Sequence, residues 1–284
     1  MTEASANLAK LLGPKVALIG MGKSGIAARD LLNFALPEVK LFTFDDKSPD
    51  ADSSDPKAVE NFNPSSLIVS PGFPLSTPWL KGLLIKGVPC LNEVDLASFF
   101  LKDERVIGIT GSLGKSTTAA LIYEAAKELD EDAFIGANFG TPLSEYALHV
   151  QKHQRPRALW IIAELSSYHL ETLRILNLDL GIVTYLAANH LERYENIQQY
   201  YDTKLKIFAR TTGKVLLNMH SEDLAKAEIK FPNAVTVHLD SHENLAMAGK
   251  NAKLLGQHNQ QNILLALKTV EVLHWGGFRK NIKI

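Results

Sequence analysis

Short unbroken apolar runs recur along this chain, and most are followed by a stretch whose apolar positions repeat with helical spacing. Runs at 16–19, 39–44, 67–69 and 88–91 predict strands, and the spacing predicts helices over 26–36, 78–86 and 94–100. After a polar segment at 101–105 the pattern resumes. Runs at 106–109, 159–163, 180–186, 214–218 and 235–239 read as strands, and 119–129, 197–209 and 257–273 as helices. Continuous runs, as opposed to alternating ones, are what parallel strands covered on both faces require. The predicted fold class is α/β: a small Rossmann-like domain over 1–100, then a domain over 101–284 with a mainly parallel sheet. The stretch 241–255 carries no pattern, and 276–284 has no clear terminating element.

The strongest candidate chemistry sits where the run 106–109 meets a helix, at Gly108-Ile109-Thr110-Gly111-Ser112-Leu113-Gly114-Lys115-Ser116-Thr117-Thr118. In such a strand–loop–helix unit, backbone N–H groups and the positive helix end cradle phosphate oxygens, and glycines let the main chain come close. Lys115 would reach the β- and γ-phosphates, and the Ser116 or Thr117 hydroxyl would hold Mg²⁺. The strict G-x-x-x-x-G-K-[ST] spacing is not met, because Ile109 stands five before Gly114. Glu164 closes the run 159–163 and is placed either to ligate a nucleotide's Mg²⁺ or to serve as a structural acid. His190 follows 180–186 in the same way. Lys204 falls on the apolar stripe of Ile197, Tyr200, Tyr201, Leu205 and Phe208. A half-buried lysine has its ammonium form disfavoured, and the neutral amine can take up CO₂ as a carbamate; the ordinary alternative is a side chain that snorkels to water. Asn259 and Asn262, near the start of the last helix, can grip a base or phosphate, or only cap the helix.

The first domain has its own glycine turn, Gly20-Met21-Gly22-Lys23-Ser24-Gly25, with Asp45-Asp46 about twenty residues on, as in a dinucleotide fold. The same turn binds any diphosphate, and the acid can meet a ribose or a uracil. Ser70-Pro71-Gly72 forms a rigid loop at a strand's C-terminal end, where open α/β sheets take ligands. A net charge of -1 over 284 residues, 46% of them hydrophobic, describes an ordinary globular protein and argues against a general nucleic-acid surface. The single cysteine, Cys90, excludes an intrachain disulfide and a Cys-rich metal site, suits a reducing cytoplasm, and is expected in the core. No apolar stretch nears the ~20 residues of a membrane span. A soluble cytoplasmic monomer is expected.

Taken in order from about residue 15 to 265, these motifs, with Asn138-Phe139-Gly140-Thr141-Pro142 and Glu164-Leu165-Ser166-Ser167, resemble the Mur ligases. The Gly-Lys-Ser-Gly turn and the Ser-Pro-Gly loop point to the branch that adds D-glutamate. The resemblance implies an ATP-dependent amide ligase of peptidoglycan precursor synthesis, acting on UDP-MurNAc-L-Ala and D-glutamate through an acyl phosphate, with a P-loop-type central ATPase domain. Gly22, Lys23, Ser24, Asp45, Asp46, Ser70, Pro71, Gly72 and Asn138 would bind the UDP substrate. Gly111, Gly114, Lys115, Ser116 and Thr117 would hold the ATP phosphates, with Asn259 and Asn262 on the adenine side. Of two Mg²⁺ ions, the first would sit on Ser116 and Glu164 and the second on His190 and carbamylated Lys204. Lys115, Glu164, His190 and Lys204 would be the catalytic set. Leu113, Tyr185, Asn189 and Glu192 depart from the family pattern of Asn, Asn, Asp and Asp, which keeps a weakened or silent nucleotide-binding homologue as the alternative. Nothing in the chain corresponds to the family's third, amino-acid-binding domain, so these 284 residues are expected to bind substrate but not to form the amide.

Overall fold

The computed structural model describes residues 2–129, 131–189, 193–220, 223–224, 231–238 and 256–275. It divides into two compact units: Met1–Lys102 with Thr141–Arg157 and Glu171–Leu176, and Asp103–Gly140 with Ala158–Leu170 and Asn177–Ile284.

In the first unit β1 (Lys15–Ile19), β2 (Lys40–Phe44), β3 (Ser66–Val69) and β4 (Cys90–Leu91) form a parallel sheet in the order β2-β1-β3-β4. All of β3 and all but the first residue of β1 are buried, which is why their runs are unbroken. Helices α1 (Glu3–Leu12), α2 (Lys23–Ala35), α3 (Pro56–Phe62), α4 (Pro78–Ile85) and α5 (Glu93–Ser98) accompany the strands. The apolar spacing does not announce α1 or α3. Their caps do: Thr2 Oγ1 accepts from Ser5 N at 3.1 Å, and Asp55 caps a helix that opens on Pro56. Phe44, Phe73 and Trp79 meet edge to face at centroid distances of 5.0–5.9 Å on one side of the sheet. Cys90 is buried as expected, and burial pushes its thiol up to about 12.

The second unit holds six parallel strands, β5 (Arg105–Thr110), β6 (Ala133–Ala137), β7 (Trp160–Glu164), β8 (Leu180–Val183), β9 (Val215–Asn218) and β10 (Ala234–Val237), in the order β10-β9-β8-β5-β7-β6. The central strand is β5, between β7 and β8, so the phosphate loop leaves the sheet where its winding reverses. The helices are α6 (Lys115–Glu128), α7 (Leu143–Gln151), α8 (Ser167–Thr172), α9 (Ile197–Leu205), α10 (Ile207–Arg210) and α11 (Gln257–Leu273), of which α7 belongs to the first unit. α6 packs along α11, and Ile107, Ile122, Ala126, Ile162, Leu265 and Val270 share one core. Edge strand β6, which the apolar runs do not predict, carries the chain as far as Ala137 before it bends. The helix predicted over 197–209 breaks at Lys206 into α9 and α10; Tyr200, Tyr201, Ile207 and Phe208 are buried on both sides of the break, so the apolar stripe does not register it. Among the described residues no helix is long and apolar enough to cross a membrane.

The late segments of the first unit are held by two buried acids on α5. Asp95 accepts from the main-chain N–H groups of Arg174, Ile175 and Leu176 at 2.8–3.0 Å. Glu93 accepts from Ser144 N in the first turn of α7, which packs on α2 and α5. Burial raises Glu93 to about 7, against the pull of the N–H groups of Ser144 and Leu143. The folded state therefore binds the extra proton between an ordinary carboxylate value and about 7, and its stability falls as pH rises through that window. Glu93→Gln should flatten this fall, read as thermal midpoints at about pH 5 and about pH 8. An equal slope in the variant would show that the dependence arises elsewhere.

Candidate phosphate and metal site

The loop after β5 takes its shape from glycines in left-handed backbone and from the ends of neighbouring strands. Gly111 has φ +146° and Gly114 φ +84°; a Cβ at the first would run into Thr184 Oγ1, and at the second into Asn262 Oδ1. Gly108, grouped with them in sequence, serves the core instead: a Cβ there would strike Leu178. Ser112 N donates to Tyr185 O at 2.6 Å, and its hydroxyl donates to Ala187 O at 2.7 Å. Tyr200 from α9 donates to that hydroxyl at 3.2 Å, and Thr184 Oγ1 lies 2.5 Å from Leu113 O. These anchors are not visible in the sequence motif; the only hint is a Thr-Tyr pair closing the run 180–186. Leu113 is 55% exposed, and its main-chain oxygen is the one that Thr184 holds.

Lys115 opens α6, and its Nζ donates to Ser112 O at 3.2 Å. Glu164, buried at the end of β7, is held at both oxygens: Ser116 Oγ donates to Oε2 and Asn138 Nδ2 to Oε1, each at 2.7 Å. Asn138 follows β6 in the second unit. Its Nδ2 is the donor that holds Glu164 Oε1. Lys204 is 2% exposed, more deeply buried than its stripe implied, and its Nζ donates to Gly111 O at 2.7 Å over the Tyr200 ring. Burial first, then the charge of Lys115, lower Lys204 to about 7 against the opposing pull of Glu164. Burial also lowers Lys115, again opposed by Glu164. His190 and Glu192 lie outside the described residues.

Among the described residues no group of three His, Cys, Asp or Glu comes together. Magnesium carried by a nucleotide does not need one, because it takes one or two protein oxygens beside phosphates and water. The Glu164 carboxylate with the Ser116 hydroxyl fits that demand. Lys204 as an ammonium has no lone pair, and magnesium takes oxygen ligands, so this side chain would suit that ion only as a carbamate.

Asn262 is buried on α11. Its Oδ1 lies 3.3 Å from Thr118 Oγ1 and against Gly114, so it braces the loop from behind. Asn259 sits half-buried in the first turn of the same helix.

In the first unit, Gly20 has φ +90° and a Cβ on Gly25 would overlap Gly20 O, so these two glycines shape the turn. Gly22 and Gly72 face open space. The Asp45 carboxylate accepts from Met21 N at 2.6 Å and from Lys47 N and Ser48 N at 2.8 Å; these bonds outweigh burial and hold it below the usual carboxylate range. The exposed acid beside it is Asp46. Ser70 likewise spends its hydroxyl on Gly20 O, at 2.7 Å. Gly22, Lys23 and Ser24 open α2, where N–H groups point out of the helix end.

A glycine loop ending in lysine and serine on the central strand of a parallel sheet, with a buried acid on the next strand, defines a P-loop-type nucleotide-binding α/β protein. Residues 109–253 match the Mur ligase middle domain, and the chain belongs to the Mur ligase family. It is 28% identical over 290 residues to a UDP-N-acetylmuramoylalanine--D-glutamate ligase of Prochlorococcus marinus, covering 89% of this chain and 62% of that protein. A protein of the same name from Gloeothece citriformis is 30% identical, with 89% and 63% covered. The chain thus spans a little under two thirds of the length of these curated relatives. In fold it is similar to the UDP-N-acetylmuramate:L-alanyl-gamma-D-glutamyl-meso-diaminopimelate ligase of Neisseria meningitides, with TM-score 0.58, 13% identity and 95% of this chain and 99% of that one covered. It is also similar to the MurF ligase of Thermotoga maritima in complex with ADP, with TM-score 0.53, 15% identity and 96% and 64% covered.

Two outcomes follow from the geometry. Gly114→Ala should lower the thermal midpoint, since the left-handed backbone and Asn262 both refuse a Cβ; an unchanged midpoint would mean that the loop tolerates the distortion. Lys204 is lowered to about 7, so the unfolded chain binds the extra proton above that value and stability rises with pH until the ordinary lysine range. Lys204→Met should remove that rise in thermal midpoints taken from about pH 7 to about pH 9.

Proposed function

We propose that the chain is the substrate- and ATP-binding part of a ligase that adds D-glutamate to UDP-N-acetylmuramoyl-L-alanine in peptidoglycan precursor synthesis. The observation that carries this reading is the pairing of Ser116 with Glu164 beneath the Lys115 loop, in a chain of this family with relatives of that name. A carboxylate acylates an amine only once it has a leaving group. The terminal carboxylate oxygen of the substrate attacks the γ-phosphorus of ATP, and the bond to ADP breaks. The amine of D-glutamate then attacks the acyl carbon, phosphate departs, and the nitrogen loses a proton.

The chain's own residues position and neutralise. The loop N–H groups and Lys115 bind the phosphates and meet the charge that grows on the transferring phosphoryl group. One of the three Lys115 N–H donors is held by Ser112 O, which leaves two for phosphate oxygens. Ser116 and Glu164 would hold Mg²⁺, which supplies charge neutralisation on the phosphate oxygens when bound. The depressed Lys204 amine supports carbamate formation; an anionic oxygen there would suit a second metal. In the first unit, the opening of α2 at Gly22-Lys23-Ser24, with Gly72 and Asp46, is the region offered to the UDP moiety.

Calorimetric titration tests the reading. The chain should bind UDP-MurNAc-L-Ala, UDP-MurNAc more weakly, and NAD not at all, and Lys115→Ala should lose ATP binding while keeping the UDP ligand. Binding of NAD in preference to the UDP ligands would overturn it.

A further inference from the structure

We infer that Asn138 is a positioning residue that acts through Glu164, keeping this carboxylate turned to a metal ion and away from the two lysines beside it. The inference rests on the nucleotide-site reading above. A carboxylate on its own turns about its last torsion with little preference. Glu164 feels both Lys115 and Lys204, whose ammonium groups attract it. A swing toward either would form an ion pair and spend the oxygen that a cation needs. Both ammonium groups instead donate to loop carbonyls, at Ser112 and Gly111. The acid is fixed by two neutral donors, Asn138 Nδ2 on Oε1 and Ser116 Oγ on Oε2, each at 2.7 Å.

The backbone is built to deliver the carboxamide. In the β6–β7 ladder Ala137 stands opposite Glu164. Ala137 has φ +72°, a left-handed conformation that a residue with a Cβ adopts at an energetic cost. That turn brings Asn138 back onto the acid, and its main-chain N donates to Glu164 O at 3.0 Å while its side chain grips Oε1. Strain of this kind persists where surrounding structure enforces it, and it clusters at functional sites. A neutral donor also suits the task chemically. It orients the carboxylate without cancelling its charge, as the outer partners of metal ligands do.

The test is ATP affinity of the whole chain, by calorimetry, with excess Mg²⁺ and again with EDTA. The proteins compared are the unaltered chain, Asn138→Ala, Glu164→Gln and the double variant; Asn138→Leu, of similar shape but without the donor, replaces Asn138→Ala if the latter melts early. Asn138→Ala should lose about tenfold or more of the affinity that Mg²⁺ confers, keep its affinity in EDTA, and add nothing to Glu164→Gln in the double variant. An undiminished Mg²⁺ effect, an equal loss in EDTA, or additive losses in the double variant would each overturn the inference. Failure of the unaltered chain to bind ATP under either condition would overturn the nucleotide-site reading and this inference together.

Discussion

The backbone of the phosphate loop is held from outside, and this constraint organises the second unit. Gly111 and Gly114 permit the path, but Tyr185 and Ala187 after β8, Thr184, and Tyr200 on α9 supply the bonds that fix it. The carbonyls of Gly111, Ser112 and Leu113 find their donors in side chains and not in a helix or strand ladder. Side chains from neighbouring elements do that work, and two of the donors are lysines. The arrangement is economical because the lysines that hold the loop are also cations a phosphate would recruit.

The electrostatics follow from burial. Two ammonium groups and one carboxylate share a poorly hydrated region, so each lysine is pushed toward its neutral form and the acid draws it back. Polyphosphate would reverse the balance by adding negative charge beside the lysines. The site is thus poised for an anion. The same poise makes the free Lys204 amine available for chemistry that a solvated lysine does not undergo.

The first unit shows the same economy in a different place. Asp45 and Ser70, both of types that bind nucleosides elsewhere, are used here to hold the glycine turn that would face a diphosphate. Glu93 and Asp95 bind main-chain groups of segments distant in sequence, so the unit closes around buried carboxylates as well as an apolar core.

The sequence alone determined the parallel α/β class, most strands, the glycine-lysine-serine loop and its acid on the adjacent strand. These depend on local runs and on fixed spacing, which are written in neighbouring residues. It did not show α1 and α3, whose evidence is capping more than periodicity, or the edge strand β6, whose run is short. Only the tertiary structure decided which polar residues are occupied. Asp45, Ser70 and Asn262 read as ligand contacts by type and position, and Asn138 through the family resemblance; the structure adds that each is bonded to or braces another part of the chain. A side chain's chemistry is local, but the partners Met21 for Asp45 and Thr118 for Asn262 lie 24 and 144 residues away, and the fold brings them together.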